Sequence, residues 1–299
     1  MIKSKPPNLW FISAQIVFLS AAFFAIPAHA IDLQPGEIKA PPPGLNVAMV
    51  SYQMSERGDL YASGNVASNA TQIKASQLQL RYSHTFLTGA LPSVVYVQTP
   101  IGYTHPNRAL AAAYDNKSGV GDTTLAYAFW PIANHETQRY FGFAGYLTLP
   151  TGQYDHSNAP FNMGGNRFSY ALQSGFQVPL APNLNVMAAL DGVWFGQNED
   201  FGPAKKTLRQ EALYTAQVGL SYDFCERYSL GAAYFYTEGG ESSVDHLKRN
   251  DTIELQRYQL TASSKFSFGK IVVQYGADLK SQNGFFEDSR LIVRYITLF

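Results

Sequence analysis

The chain has 299 residues, with 22 basic and 22 acidic side chains, and charged residues make up only 15% of it. This balance excludes an overall electrostatic attraction to nucleic acid or to acidic substrates. The single cysteine, Cys225, excludes an internal disulfide and a cysteine-based zinc site. The 19 tyrosines and 20 phenylalanines suit a boundary between lipid and water. A soluble β-sandwich can be equally rich in tyrosine, so composition leaves both classes open.

The first thirty residues have the three parts of a secretory signal peptide. Lys3 and Lys5 give a basic start, residues 9–26 are apolar, and residues 28–30 read Ala-His-Ala. The alternative is an uncleaved membrane anchor, since the apolar stretch is close to the lower limit of about 17–20 residues for a spanning helix. The Ala-x-Ala site favours export and cleavage after Ala30.

The next segment, residues 31–43, contains three successive prolines, which exclude a helix or a central strand. We expect an extended, proline-rich lead-in on the periplasmic side. From Gly44 to Phe299, strand-like runs recur between glycine, proline, asparagine and aspartate residues. The predicted strands are 44–54, 72–87, 91–103, 121–131, 138–150, 167–179, 184–196, 210–224, 227–238, 252–268, 270–281 and 288–299.

Several of these runs alternate between apolar and polar side chains. In the run 167–178, Phe168, Tyr170 and Leu172 share one face, and Arg167, Ser169 and Gln173 share the other. A barrel with lipid outside and a polar lumen needs this period of two, although a soluble sandwich produces it as well. The run 91–103 is apolar on both faces, so the pattern does not orient it.

The lengths of the connections separate these two classes. Every second connection is long, at about 55–71, 104–120, 151–166, 197–209 and 239–251, while the others are tight turns; the last long one, 282–287, is shorter than the rule predicts. This alternation is typical of transmembrane barrels, which have short periplasmic turns and long outer loops. The sequence therefore predicts an all-β fold. This fold is an antiparallel up-and-down transmembrane β-barrel of about twelve strands over residues 44–299, with ten or fourteen as the alternatives.

The lumen is the place where we expect function. Strand parity points five charged side chains inward. They are Arg81, Asp191, Arg257, Asp278 and Arg294. One interpretation is a constriction that contacts solutes and selects them by charge and shape. The other is an ion-pair network that only stiffens the barrel.

Two segments resemble a known family. One contains Gly119, Gly121 and Asp122 at the start of a strand, and the other is a strand that ends in Leu-Pro-Thr-Gly at 149–152, followed by Tyr154 and Asp155. A Gly-x-Gly-Asp opening followed by Pro150, Thr151 and Gly152 is similar to the outer-membrane transporter family named after the meta-cleavage pathway of phenol degradation. The resemblance implies an outer-membrane channel and uptake of aromatic compounds. On the residues alone, Asp122 is expected to bond to local backbone at a turn.

Signals of catalysis are weak. The chain has no Gly-x-Ser-x-Gly or His-Glu-x-x-His motif. An outer-membrane phospholipase is the enzyme alternative, but Ser83 and His84 are adjacent in sequence and must point to opposite faces. The loops 104–120 and 151–166 can either fold into the lumen or face other cells, so a non-transporting structural or adhesive barrel stays open.

The sequence thus predicts a non-enzymatic outer-membrane channel for passive, selective uptake of small molecules. No metal or cofactor is implied. The expected partners are outer-membrane lipid, the small solute and the barrel-assembly machinery. The machinery is expected to read the terminal strand, which ends on Phe299 with Tyr295 and Val293 on the same face. No nucleic-acid partner is expected, and the sequence does not determine an oligomeric state.

Overall fold

The structure is a computed structural model that describes residues 37–299. The predicted signal peptide and its cleavage site lie outside these residues. In the described range, helical structure is confined to two short 3-10 turns, Ala109–Ala112 and His156–Asn158. None of the helices there has the length and apolar character needed to cross a membrane.

Twelve long antiparallel strands form one sheet. We label them β1 (Asn46–Ala62), β2 (Thr71–Thr88), β3 (Leu91–Arg108), β4 (Thr123–Asn134), β5 (Arg139–Leu149), β6 (Ser169–Ala181), β7 (Leu184–Phe195), β8 (Leu213–Asp223), β9 (Tyr228–Gly239), β10 (Ile253–Phe266), β11 (Gly269–Ser281) and β12 (Gly284–Leu298). Each strand pairs with the next along the chain, which confirms the predicted up-and-down order.

The sheet closes on itself through β1 and β12. Their register runs from Val47 opposite Leu298 to Tyr61 opposite Gly284, with irregularities around Arg57. Closure pairs the backbone N–H and C=O groups of the two edge strands, because lipid offers these groups no hydrogen bonds. The strand number is therefore twelve and not ten or fourteen. Since it is even, β1 begins and β12 ends at the same end of the barrel, which we call the terminal end; the opposite one is the loop end.

The strands are longer than predicted at the loop end, where β1 continues to Ala62 and β3 to Arg108. The alternation of connection lengths is nevertheless confirmed, with segments 109–122, 150–168, 196–212 and 240–252 at the loop end. The last connection there is only residues 282–283, so its predicted shortness is also confirmed. The loop end carries a second, four-stranded sheet, made of Asn198–Phe201, Lys206–Gln210, Ser242–Val244 and Leu247–Lys248.

The outer face of the barrel is apolar. Leu172 on β6 is 59% exposed and Leu190 on β7 is 65% exposed, as expected of side chains that face lipid rather than a core. Aromatic rings gather near both ends of the barrel. At the loop end, Trp194 stacks on Tyr170, with ring centroids 5.4 Å apart, and at the terminal end Phe268 lies 6.3 Å from Tyr295. These positions match the aromatic girdles of membrane barrels.

The described part of the proline-rich lead-in, residues 37–43, lies against the inside of the barrel at the terminal end. Ile38 and Ala40 are buried among lumen-facing side chains, with Trp130 and Met187 in the same cluster. The indole Nε1 of Trp130 donates to the carbonyl oxygen of Ile38 at 2.8 Å. The hydroxyl of Thr85 donates to the carbonyl oxygen of Pro42 at 2.7 Å. The segment therefore narrows the lumen at this end.

Candidate functional site

An apolar cavity occupies the lumen between β2 and β7. Its volume is about 180 Å³, and a cavity of about 150 Å³ is large enough to bind benzene. Much of its wall consists of small or apolar side chains. They include Val94, Ala126, Ala128, Trp130, Ala144, Gly175 and Ala189. We call this space the apolar cavity.

Strand β3 explains why the lumen is apolar here. Val95, Val97 and Ile101 face outward and are at least 40% exposed, whereas Val94 and Tyr96 line the apolar cavity. The sequence left this strand without an orientation because both of its faces are apolar. The structure shows that both are apolar because one meets lipid and the other lines the cavity.

A few polar groups converge on the apolar cavity. The guanidinium of Arg81 lies 4.3 Å from the ring centroid of Tyr96, and its Nε donates to Oε1 of Gln98 at 2.7 Å. The hydroxyl of Tyr146 donates to Oε1 of Gln173 at 3.0 Å. Glu37 and Ile38 of the lead-in complete the lining. An apolar space with a few fixed polar groups is the usual form of a small-molecule site.

The opposite side of the lumen is charged. We define the charged wall as the lumen-facing ionic side chains of β1 and β10–β12. They are Arg57, Arg257, Asp278, Glu287, Arg290 and Arg294. An oxygen of Glu287 lies 3.2 Å from Nη2 of Arg57, across the seam between β12 and β1, and its other oxygen lies 3.5 Å from Nε of Arg290. Asp278 accepts the backbone N–H of Glu287 at 2.7 Å.

The five predicted lumen residues are on separate parts of the wall. Arg81 lines the apolar cavity, and Asp191, buried on β7, accepts a hydrogen bond from Nε2 of Gln217 at 2.6 Å. Arg257 is opposite Asp278 in the register of β10 and β11 and stacks on Phe235 at 4.3 Å. Arg294 lies 3.3 Å from the hydroxyl of Ser51. Only Arg81 borders the apolar cavity, so contact between the other four and a solute stays a prediction.

The Gly-x-Gly-Asp and Pro-Thr-Gly segments meet at the loop end. Oδ1 of Asp122 accepts the N–H of Gly152 and Oδ2 accepts the N–H of Gly165, both at 2.8 Å. The expectation that Asp122 bonds to local backbone was wrong, because its partners are 30 and 43 residues away. Burial raises the pKa of Asp122, and the N–H groups of Gly165 and Gly152 oppose that rise. The carboxylate thus fixes both ends of the loop 152–165.

The motif glycines allow close approach of this loop. A Cβ on Gly152 would lie 2.7 Å from the Cα of Gly164, and one on Gly121 would lie 2.7 Å from Cγ of Pro100. Gly119 has a φ of +149°, with Gln153 directly against it. Strand β5 ends at Leu149, just before Pro150, and the hydroxyl of Thr151 accepts the N–H of Thr123 at 2.9 Å. These residues shape a loop and do not line the apolar cavity.

The loops turn inward at the loop end. Phe161 and Leu110 have no exposed surface and form one cluster with Leu60, Ile73 and Phe285 of the barrel wall. Of the two alternatives for the loops 104–120 and 151–166, inward folding is therefore confirmed for these segments. The lumen is narrowed from both ends, by residues 37–40 at one and by the loop 152–165 at the other.

The sequence interpretation missed several of these residues. Tyr96, Tyr146 and Gln173 were not predicted as cavity residues, although the two-sided apolar run 91–103 was a usable signal. Glu287 and Arg57 were missed because the sequence placed them in the connections 282–287 and 55–71, whereas β12 and β1 extend through these positions. In the described part of the chain, no group of three or more histidine, cysteine, aspartate or glutamate side chains is placed to hold a metal ion.

The chain is similar to several solved structures. An outer-membrane channel from Pseudomonas putida F1 is 30% identical, with 90% of this chain and 100% of that chain covered and a TM-score of 0.86. The β domain of the Bordetella autotransporter BrkA is 8% identical, covering 86% of this chain and 100% of that chain, with a TM-score of 0.54. The translocator domain of NalP from Neisseria meningitidis is 11% identical, covering 89% of this chain and 91% of that chain, with a TM-score of 0.51. These last two show the fold alone.

Among curated protein sequences, none matches this chain. The family described as "Putative MetA-pathway of phenol degradation" matches residues 55–295. This match covers most of the chain and includes both motif segments. The resemblance in the motifs is thereby confirmed: the chain is an outer-membrane β-barrel that belongs to this phenol-degradation family.

Proposed function

We propose that the protein is a channel for passive, selective uptake of small, mainly apolar molecules, with aromatic compounds as the leading substrate class. The observation that carries this proposal is the apolar cavity. The lumen of a water-filled porin is polar, whereas this lumen presents alanine, valine and tryptophan side chains around a cavity of about 180 Å³. The similarity to an outer-membrane channel supports the transport role.

The polar groups of the apolar cavity supply the selectivity in this proposal. Arg81 and Tyr96 form a cation–π pair at the cavity wall, and Tyr146 is held by Gln173. An aromatic solute with a hydroxyl group would pack its ring on the alanine-rich side and exchange hydrogen bonds with these groups. A large hydrophilic solute would lose its hydration without compensation.

The test compares uptake of phenol, toluene and a sugar of similar size by Gram-negative cells that express the protein and by cells that lack it, because toluene and phenol cross a plain phospholipid bilayer unaided and the lipopolysaccharide leaflet of the outer membrane slows them. We expect expression to raise the uptake of the two aromatic compounds more than that of the sugar. An equal increase for all three would contradict selectivity. If expression raises the uptake of none of them, the structural or adhesive barrel is favoured instead.

A pair of neighbouring substitutions locates the route. Ala189 lines the apolar cavity, and Ala188 on the same strand pairs with outward-facing Phe176 and Val218. Ala189→Phe is expected to reduce aromatic uptake at least fivefold, because the ring fills the cavity, while Ala188→Phe retains it. Heat-modifiable migration on gels checks that both barrels fold. Equal uptake by the two variants would place the route elsewhere.

A further inference from the structure

A groove lies on the outer, lipid-facing surface of the barrel at its terminal end, along β10. Its volume is about 330 Å³. Two small side chains, Ala262 and Ser264, form its floor. Ala262 is flanked by Leu230 of β9 and Val273 of β11, which are 47% and 40% exposed on the same face. Larger side chains on both neighbouring strands therefore wall in the small ones of β10, and the groove has room for a section of a hydrocarbon chain.

The floor of the groove carries one polar group. Ser264 lies between Tyr228 of β9 and Ile271 of β11. Its hydroxyl is buried and has no hydrogen-bond partner within residues 37–299. A hydroxyl group in an apolar environment is costly unless it finds an acceptor. An occupant of the groove that brings an acceptor oxygen to this depth removes that cost.

A cation lies at the terminal rim of the groove. Arg227 belongs to the turn between β8 and β9, and its guanidinium lies 4.8 Å from the ring centroid of Phe266 and 5.3 Å from that of Tyr228. Both rings line the groove. In the part of the chain that the structure describes, the side chain of Arg227 contacts these two rings and forms no ion pair. An arginine in this position is complementary to a phosphate group.

These features follow one another in a fixed order from the terminal end into the membrane. The cation of Arg227 comes first, then the hydroxyl of Ser264, and then the apolar section at Ala262, about 7 Å further along the strand. A glycerophospholipid carries its phosphate, ester carbonyl groups and acyl chains in the same order. The short connections lie at the terminal end, as they do at the periplasmic side of membrane barrels.

We propose that this groove binds one glycerophospholipid molecule of the periplasmic leaflet. Arg227 donates to the phosphate, the hydroxyl of Ser264 donates to an ester carbonyl oxygen, and one acyl chain lies over Ala262. The site goes beyond the proposed transport function, because it is on the outside of the barrel and does not communicate with the apolar cavity through any residue that lines both.

The experiment is native mass spectrometry of the full, folded barrel in detergent, titrated with phosphatidylglycerol, with the matching diacylglycerol, or with glycerol 3-phosphate. Phosphatidylglycerol is expected to saturate at one tightly held molecule and to bind at least tenfold more tightly than either of the others. Diacylglycerol that binds equally well would overturn the role of the phosphate, and glycerol 3-phosphate that does so would overturn the role of the groove. If phosphatidylglycerol does not saturate at one molecule, the proposal fails.

Filling the groove separates a specific site from ordinary surrounding lipid. Ala262→Phe should weaken phosphatidylglycerol binding at least tenfold, because the ring occupies the place of the acyl chain. Ala188→Phe is the matched control, since Ala188 lies on β7 next to outward-facing Phe176 and Val218, four residues from the terminal end of its strand, as Ala262 is on β10. Binding by Ala262→Phe within twofold of wild type, or an equal loss in both variants, would overturn the proposal.

The polar contacts have their own variants. Arg227→Gln should weaken phosphatidylglycerol binding about tenfold, the loss expected for a hydrogen bond to a charged group, and Arg227→Lys should retain part of the affinity. Arg139→Gln is the control, because Arg139 begins β5 at the same end and is exposed. Ser264→Ala should cost about threefold. Heat-modifiable migration on gels checks that each barrel folds. Arg227→Gln that binds within twofold of wild type would contradict phosphate recognition.

Discussion

The two sides of the lumen differ although both are built from the same alternating strands. Between β2 and β7, the inward positions of the apolar cavity carry mainly alanine, glycine, valine and tryptophan. On β10–β12 and β1, the inward positions of the charged wall carry arginine, aspartate and glutamate. A period of two therefore fixes which side chains face inward, but it does not make the lumen uniformly polar.

The charged wall and the apolar cavity have different physical roles. The charged wall spans the seam where β12 meets β1, and Glu287 joins Arg57 to Arg290 there. The contact of one carboxylate with two arginines suits a structural role for this part of the charged wall. The apolar cavity leaves space instead, with Arg81 as its nearby cation. Substitutions on the two walls should thus act on different observables.

The largest effect on stability is expected from losing the ionic contact at the seam between β12 and β1. Glu287→Gln leaves Arg57 and Arg290 in the lumen without their carboxylate, and we expect the free energy of unfolding to fall by about 3 kcal/mol. Urea unfolding in lipid vesicles, followed by gel mobility, measures this change. Toluene uptake by cells that express the variant should be retained.

Glu254→Gln is the control for Glu287→Gln. Glu254 pairs with Lys280 at 2.6 Å between neighbouring strands, but that pair is exposed. Its loss should cost less than about 1 kcal/mol. Equal destabilisation by the two substitutions would mean that the seam has no special role in closure.

A smaller effect is expected where the loop covers the lumen. Asp122→Ala removes the acceptor of two backbone N–H groups, at a cost of about 2–3 kcal/mol confined to the loop. The amides of Gly152 and Gly165 should then exchange with deuterium at least tenfold faster. Asp115→Ala in the same region is the control, because Asp115 contacts Asn158 through its backbone. Unchanged exchange in Asp122→Ala would show that packing of Phe161 alone holds the loop.

The smallest effect concerns the terminal end of the apolar cavity. Trp130→Phe removes the N–H donated to the carbonyl oxygen of Ile38, which is worth about 1 kcal/mol. Maleimide labelling of an Ala40→Cys variant, in a Cys225→Ser background, should become about fivefold faster. The control is Trp194→Phe, since Trp194 stacks on Tyr170 at the outer face. Identical labelling rates in the two backgrounds would contradict a role of this hydrogen bond in holding residues 37–40.

The sequence predicted the barrel well, because every strand that crosses the membrane must place apolar side chains toward lipid at every second position. The predicted ends of β6 and β7 agree with the structure within a few residues, since apolar and polar side chains alternate along both. The inward direction of Arg81, Asp191, Arg257, Asp278 and Arg294 followed from the same parity. Prediction was poorer near Arg57, where bulges interrupt the register.

The sequence by itself determined the class of fold, the strand order and the inward or outward direction of side chains, because backbone pairing and a two-residue period act locally. Only the tertiary structure decided which inward residues meet. Asp122 reaches Gly165 across 43 residues, and Trp130 reaches Ile38 across 92. Such contacts depend on how the barrel curves and where its loops turn inward, and no local pattern encodes those distances.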